Sequence, residues 1–266
     1  MPKTPGRSPM STQIIIKRSP DEVAVAVAGW LIDAIRSVLQ VRPSCSMALS
    51  GGSTPKRLYE LIATQELYCL DWSKVMLFWG DERNVAEDHP DSNYRMVREA
   101  WLDRVAATGE SRCVPQCFPV PIQPASPERS AREYSKILRR ELAVGESTLE
   151  IPRIDIMLLG LGDDSHTASL FPETPALQAE HELFVANFVP KLGTYRLTMT
   201  IPMINAARHI AFLVCGNSKQ DAVDVVWHGP RQGSLYPAQC IQPADGELLW
   251  FLDTSAVPEH RRNDPP

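Results

Sequence analysis

The chain has 266 residues, 44% of them hydrophobic and 22% charged, with a formal net charge of -5 at pH 7. That length buries a substantial core within one large domain, and the composition excludes a disordered, collagenous or membrane-spanning class. An acidic chain leaves no basic footprint for nucleic acid, so an anionic ligand has to be met by local cations.

The opening MPKTPGRSPMSTQ lacks the apolar core of a secretory signal, and the longest apolar stretch, VAVAVAGWLIDAI, is interrupted by Asp33 and then closed by Arg36. A cytoplasmic protein without a membrane span is expected. Residues 1–12 and the charged, proline-ended 258–266 are expected as disordered tails around a single α/β domain over 13–257. Short apolar runs bounded by turn residues follow in order: TQIIIK, SMALSGG, KVMLFWGDE, RIDIMLLGLG, ELFVANFV, RLTMTIP, HIAFLVCG and ELLWFLD. They read as strands, several too uniformly apolar to face water.

Helix-length segments lie between these runs. Ser19-Pro20-Asp21 opens one reaching about Leu39, Thr54-Pro55 a second, Asp91 a third along SNYRMVREAWLDRV, Ser126-Pro127 a fourth and Asn217-Ser218 a fifth. A hydroxyl residue followed by proline is a mechanical start signal, an N-cap acceptor ahead of a residue with no amide to orphan. Strands alternating with helices imply a doubly wound α/β fold, a mostly parallel sheet with helices on both faces. The strand-rich last third suggests some antiparallel additions. CVPQCFPVPIQPASP reads as a surface excursion.

The cysteines Cys45, Cys69, Cys113, Cys117, Cys215 and Cys240 have no zinc-ribbon spacing, and several sit in apolar runs such as AFLVCG. They are expected as free thiols of a reducing compartment, with no metal site at Cys113 and Cys117.

In such a sheet ligands bind outside the carboxyl ends of the strands, so the residues after each apolar run carry the functional expectations. After SMAL come Ser50, Gly51, Gly52, Ser53 and Thr54, a glycine turn entering a helix. Its amides and hydroxyls make a phosphate cradle or a plain N-cap, matching neither the P-loop nor G-x-G-x-x-G pattern. After VMLFW comes Gly80-Asp81-Glu82-Arg83, either a solvated charge cluster or an arginine held by two acids and aimed at an oxyanion. After RIDIMLL comes GLGDDSHTASLFP, in which His166 lies two residues beyond Asp164 and beside a short expected helix, TASLF. A histidine can take a proton from water while a carboxylate fixes its tautomer, and without a G-x-S-x-G elbow direct water activation is favoured over a covalent route. Lys191 and Arg196 flank a glycine turn, as surface charge or as a phosphate clamp.

Taken in order, LSGGSTP, FWGDERNV with DSNYRM, GLGDDSHTASLFP, PKLGTYRLTMTIPMINAARHIAFLVCG with Lys219, and LYPAQCIQPADGELLWFLD resemble the 6-phosphogluconolactonase family from about Ile14 to Ala256. The resemblance implies hydrolysis of 6-phosphoglucono-1,5-lactone to 6-phosphogluconate in the oxidative pentose phosphate pathway, with no cofactor and a small sugar-phosphate lactone as partner. It implies His166 as general base, Asp164 as its orienting carboxylate, and Arg83 on the carbonyl oxygen. Gly51, Gly52, Ser53, Thr54, Lys191 and Arg196 would line the phosphate end. Nothing in the chain specifies an oligomeric state.

The family motif reads Asp-Gly-His, whereas Ser165 stands between Asp164 and His166. A positive φ there would strain a serine, and ordinary dihedrals would leave it harmless. Two other readings stay open: an amino-sugar phosphate isomerase or deaminase of the same superfamily, and a sugar-phosphate binder that has lost catalysis. SLFP in place of an Asn-Glu-Pro type segment, and GDERNV in place of an Asp-Glu-Tyr type run, favour the lactonase.

Overall fold

A computed structural model describes residues 12–64, 69–142 and 151–261. Ten strands occur among them: β1 (Thr12–Lys17), β2 (Cys45–Leu49), β3 (Val75–Trp79), β4 (Asp81–Arg83), β5 (Gln116–Cys117), β6 (Ile156–Leu159), β7 (Phe184–Val189), β8 (Thr194–Met199), β9 (His209–Val214) and β10 (Glu247–Asp253). The α-helices are α1 (Pro20–Val41), α2 (Ser53–Thr64), α3 (Asn93–Val97), α4 (Asp103–Ala106), α5 (Pro127–Leu142), α6 (Ile201–Asn205) and α7 (Gln220–His228).

The main sheet has the order β1-β10-β9-β6-β2-β3-β5, with every pairing parallel. Its central strands β2 and β6 are buried at every position and apolar but for Ser46, as a sheet covered on both faces requires. A second, antiparallel sheet has the order β4-β8-β7. The expected antiparallel strands are therefore a separate layer rather than additions to the main sheet's edge.

The helix signals have mechanical counterparts. Ser19 caps α1, its hydroxyl accepting from the Glu22 amide at 3.3 Å, and Pro20 takes the first turn. Val23, Val27, Leu31, Ile35 and Val38 then recur on one buried face. Ser92 caps α3 by accepting from the Arg95 amide, and a π turn over Arg98–Leu102 links α3 to α4.

Three expectations fail locally. The charged Asp81–Arg83 run is a strand, because β8 supplies its hydrogen-bonding edge. The proline-rich excursion contains β5, two residues paired with β3. TASLF forms no helix: Ala168 holds φ at 47°, outside the right-handed region, and Thr167 and Leu170 close an isolated bridge instead.

At the margins, Thr12 pairs with Leu248 and the Arg261 guanidinium meets Asp224 at 2.7 Å, while the rest of the expected tails, 1–11 and 262–266, lies outside the described residues. No helix among the described residues is long and apolar enough to cross a membrane. All six cysteines are free thiols, Cys45 and Cys113 buried and Cys69 exposed.

Strand order fixes where a ligand can enter. From β2 the chain proceeds to β3 and β5 on one side, and from β6 to β9 and β10 on the other. The direction reverses between β2 and β6, and the loops leaving these two strands part there to open a crevice.

Candidate active site

The crevice is a cleft of about 410 Å³. Its walls come from the carboxyl ends of β2, β6 and β9 and from β4 and β8 of the small sheet. Among the expected site residues, Gly51, Gly52, Arg83, Asp164, His166, Lys191 and Arg196 line it. Ser53 and Thr54 do not. They occupy the first turn of α2, just beyond Gly52, and the Thr54 side chain is hydrogen-bonded with the Cys215 thiol.

His166 is held from several directions. Its Nδ1 lies 2.5 Å from Asp164 Oδ1, so the lone pair left for base chemistry is on Nε2. The ring stacks on Phe171, centroids 4.0 Å apart and planes at 21°. The Gly162 backbone packs against it so closely that an added Cβ would stand 2.0 Å from Nδ1. The loop closes on itself as Gly162 donates to the His166 carbonyl at 2.8 Å and Ser165 donates to the Gly162 carbonyl at 3.0 Å.

Ser165 settles its own question. It holds φ at 63°, the left-handed region, while 2% exposed. Ser165 thus bears the cost that a glycine would avoid, yet the bond between Asp164 and His166 is made.

Asp164 is shared between His166 and Lys191. Hydrogen bonds from His166 and then from Lys191, the latter at 2.9 Å, hold its carboxyl well below the usual carboxylate range against the opposing pull of partial burial. The same contact raises the pKa of Lys191, whose side chain is 70% exposed, so the pair adds little to stability.

Arg83 departs from the expected arrangement. Neither Asp81 nor Glu82 holds it. Asp81 instead accepts from Ser169 Oγ at 2.6 Å, tying the loop after His166 to β4. Glu82 is buried and accepts the Asn93 and Tyr94 amides at 2.7 and 2.8 Å, capping α3; burial pushes its carboxyl up despite these bonds. Arg83 itself donates to the Asp91 carbonyl and stands opposite Arg196 across the β4–β8 pair. Neither arginine has an ion-pair partner among the described residues, and burial followed by the charge of Arg83 depresses the pKa of Arg196. Two adjacent guanidinium groups facing a cleft make an anion site.

Other lining residues carried no expected role: Asn93, Asp163, Ser169, Phe171 and Lys219. Asp163 pairs with Lys219, bringing a fourth cation to the cleft from the turn before α7. Lys219 follows the apolar run of β9, so the rule of looking past each strand's carboxyl end extends to it.

The family model described as glucosamine-6-phosphate isomerases/6-phosphogluconolactonase matches residues 18–250. A 6-phosphogluconolactonase from Synechocystis is 44% identical over 249 residues, covering 93% of this chain and 94% of that protein. One from Nostoc is 42% identical over 242 residues, covering 90% and 95%. Among solved structures, a 6-phosphogluconolactonase from Trypanosoma cruzi superposes with a TM-score of 0.79 at 29% identity, over 94% of this chain and 97% of that one.

Proposed function

The chain belongs to the family of glucosamine-6-phosphate isomerases and 6-phosphogluconolactonases, and on that premise we propose that it hydrolyses 6-phosphoglucono-1,5-lactone to 6-phosphogluconate with His166 as the general base. The observation that carries this reading is the Asp164–His166 pair opening into a cleft whose other walls are cationic.

Nε2 of His166 takes a proton from water as the water oxygen attacks C1. The Asp164 carboxylate, ionised throughout the neutral range, stabilises the imidazolium formed. Arg83 lies on the wall where the carbonyl oxygen gains charge, and its guanidinium compensates the tetrahedral oxyanion. The bond from C1 to the ring oxygen then breaks, and His166 returns its proton to that oxygen. The Gly51-Gly52 turn, Lys191 and Arg196 hold the phosphate, with Lys219 beside them. Holding the far end of the substrate turns the attack into a reaction of positioned groups. Each step uses side chains and backbone of this chain. The reaction is the second of the oxidative pentose phosphate pathway, and a cytoplasmic setting accords with six free cysteines.

The test compares three compounds: 6-phosphoglucono-1,5-lactone generated in situ, glucono-1,5-lactone without the phosphate, and glucosamine 6-phosphate. The expected order of kcat/KM is phosphorylated lactone first, the unphosphorylated lactone lower by at least about a hundredfold, and no deamination of the amino sugar. Equal rates on the two lactones would remove the phosphate anchor; ammonia release from glucosamine 6-phosphate would favour the deaminase reading.

A further inference from the structure

We propose that Phe171 is a positioning residue whose ring face stabilises the His166 imidazolium formed as water is deprotonated. The inference rests on His166 being the base, as argued above.

Phe171 is 7% exposed and lies nearly parallel to the imidazole at 4.0 Å between centroids. Its place is fixed from behind. Thr174 Oγ1 donates to the Phe171 carbonyl at 2.7 Å, and the fully buried Asn187 holds the same loop through Thr174 Oγ1 at 2.9 Å and the Ser169 carbonyl at 3.0 Å. Gly162 is the further close neighbour of the imidazole, so the ring has little freedom to leave the stack.

A neutral imidazole on a phenyl face gains mainly dispersion, whereas an imidazolium also meets the negative face of the π system. The contact therefore strengthens as the proton is transferred, which is the condition for an interaction to accelerate the step rather than merely bind. The charged groups around His166 are Asp163 and Asp164 on its own loop, Lys191 from the turn before β8, Lys219 from the turn before α7, and Asp81, Arg83 and Arg196 from the small sheet. All are unchanged when Phe171 is replaced, so a shift on replacement isolates the ring.

The experiment uses the full chain and the variants Phe171→Leu, Phe171→Tyr and His166→Ala. It follows kcat and KM against pH, corrected for spontaneous lactone hydrolysis, and titrates the His166 ring protons by NMR. Phe171→Leu is expected to move the acidic limb of kcat/KM and the His166 titration about half a unit to one unit lower, to reduce kcat several-fold with little change in KM, and to be rescued by Phe171→Tyr. Both titrations at their wild-type positions in Phe171→Leu would overturn the proposal. Should Phe171→Leu fail to fold, Phe171→Met carries the same expectation and the same overturning result. Full acceleration in His166→Ala would instead overturn the base assignment, which the NMR titration does not depend on.

Discussion

Ser165 sits between the two residues proposed to activate water and holds φ at 63°, where an L side chain costs about 1 to 2 kcal/mol. Two hydrogen bonds keep it there: its amide donates to the Gly162 carbonyl, and its carbonyl accepts from Ala238, each at 3.0 Å. Since Asp164 and His166 meet despite the strain, Ser165→Gly is expected to raise stability by about 1 kcal/mol in urea denaturation and to leave kcat within about twofold. A loss of stability would show that the serine side chain contributes more than its backbone costs. That His166, Asp164, Lys191 and Arg196 line one cleft was legible in the sequence because each stands near the end or start of an apolar run. Phe171 and Ser169 were not: what they do depends on a ring stack and on a bond to Asp81, 88 positions away.

At the scale of elements, β4 and α3 form one unit joined by Glu82. Its Oε1 accepts the Arg83 and Asn93 amides, and Oε2 accepts the Tyr94 amide and the Ser92 hydroxyl. Four donors converge on one carboxylate, so in Glu82→Gln either orientation of the amide turns its NH2 toward another donor. That variant is expected to lose about 2 kcal/mol of stability, read from a lower urea midpoint at unchanged m-value. An unchanged midpoint would mean that the cap carries no net stability. The apolar strands and the Ser-Pro helix starts were readable because burial and capping leave local signatures. The Asp81–Arg83 strand was not, because its partner edge is supplied by β8, more than a hundred residues later. TASLF misled for a related reason: its composition suits a helix, but the closed turn around His166 and the positive φ of Ala168 override that preference.

For the molecule as a whole, the parallel sheet places the β2 and β6 ends at its switch point, and the small sheet stands over that point carrying Arg83 and Arg196. The alternation of strands and helices made the first half of this arrangement readable. The second sheet was visible only as extra strands, since nothing local in ELFVANFV or RLTMTIP distinguishes a separate layer from an edge addition. Asp81 and Asn187 bind the two layers through Ser169, so His166 and the cations share one frame. The central claim is that this frame activates water through His166. Its most direct test generates 6-phosphoglucono-1,5-lactone with glucose-6-phosphate dehydrogenase and follows lactone loss above the spontaneous rate for wild type and His166→Ala. The account predicts clear acceleration by the wild type and a fall of about a hundredfold to ten-thousandfold in the folded variant; equal acceleration by the two proteins would contradict it.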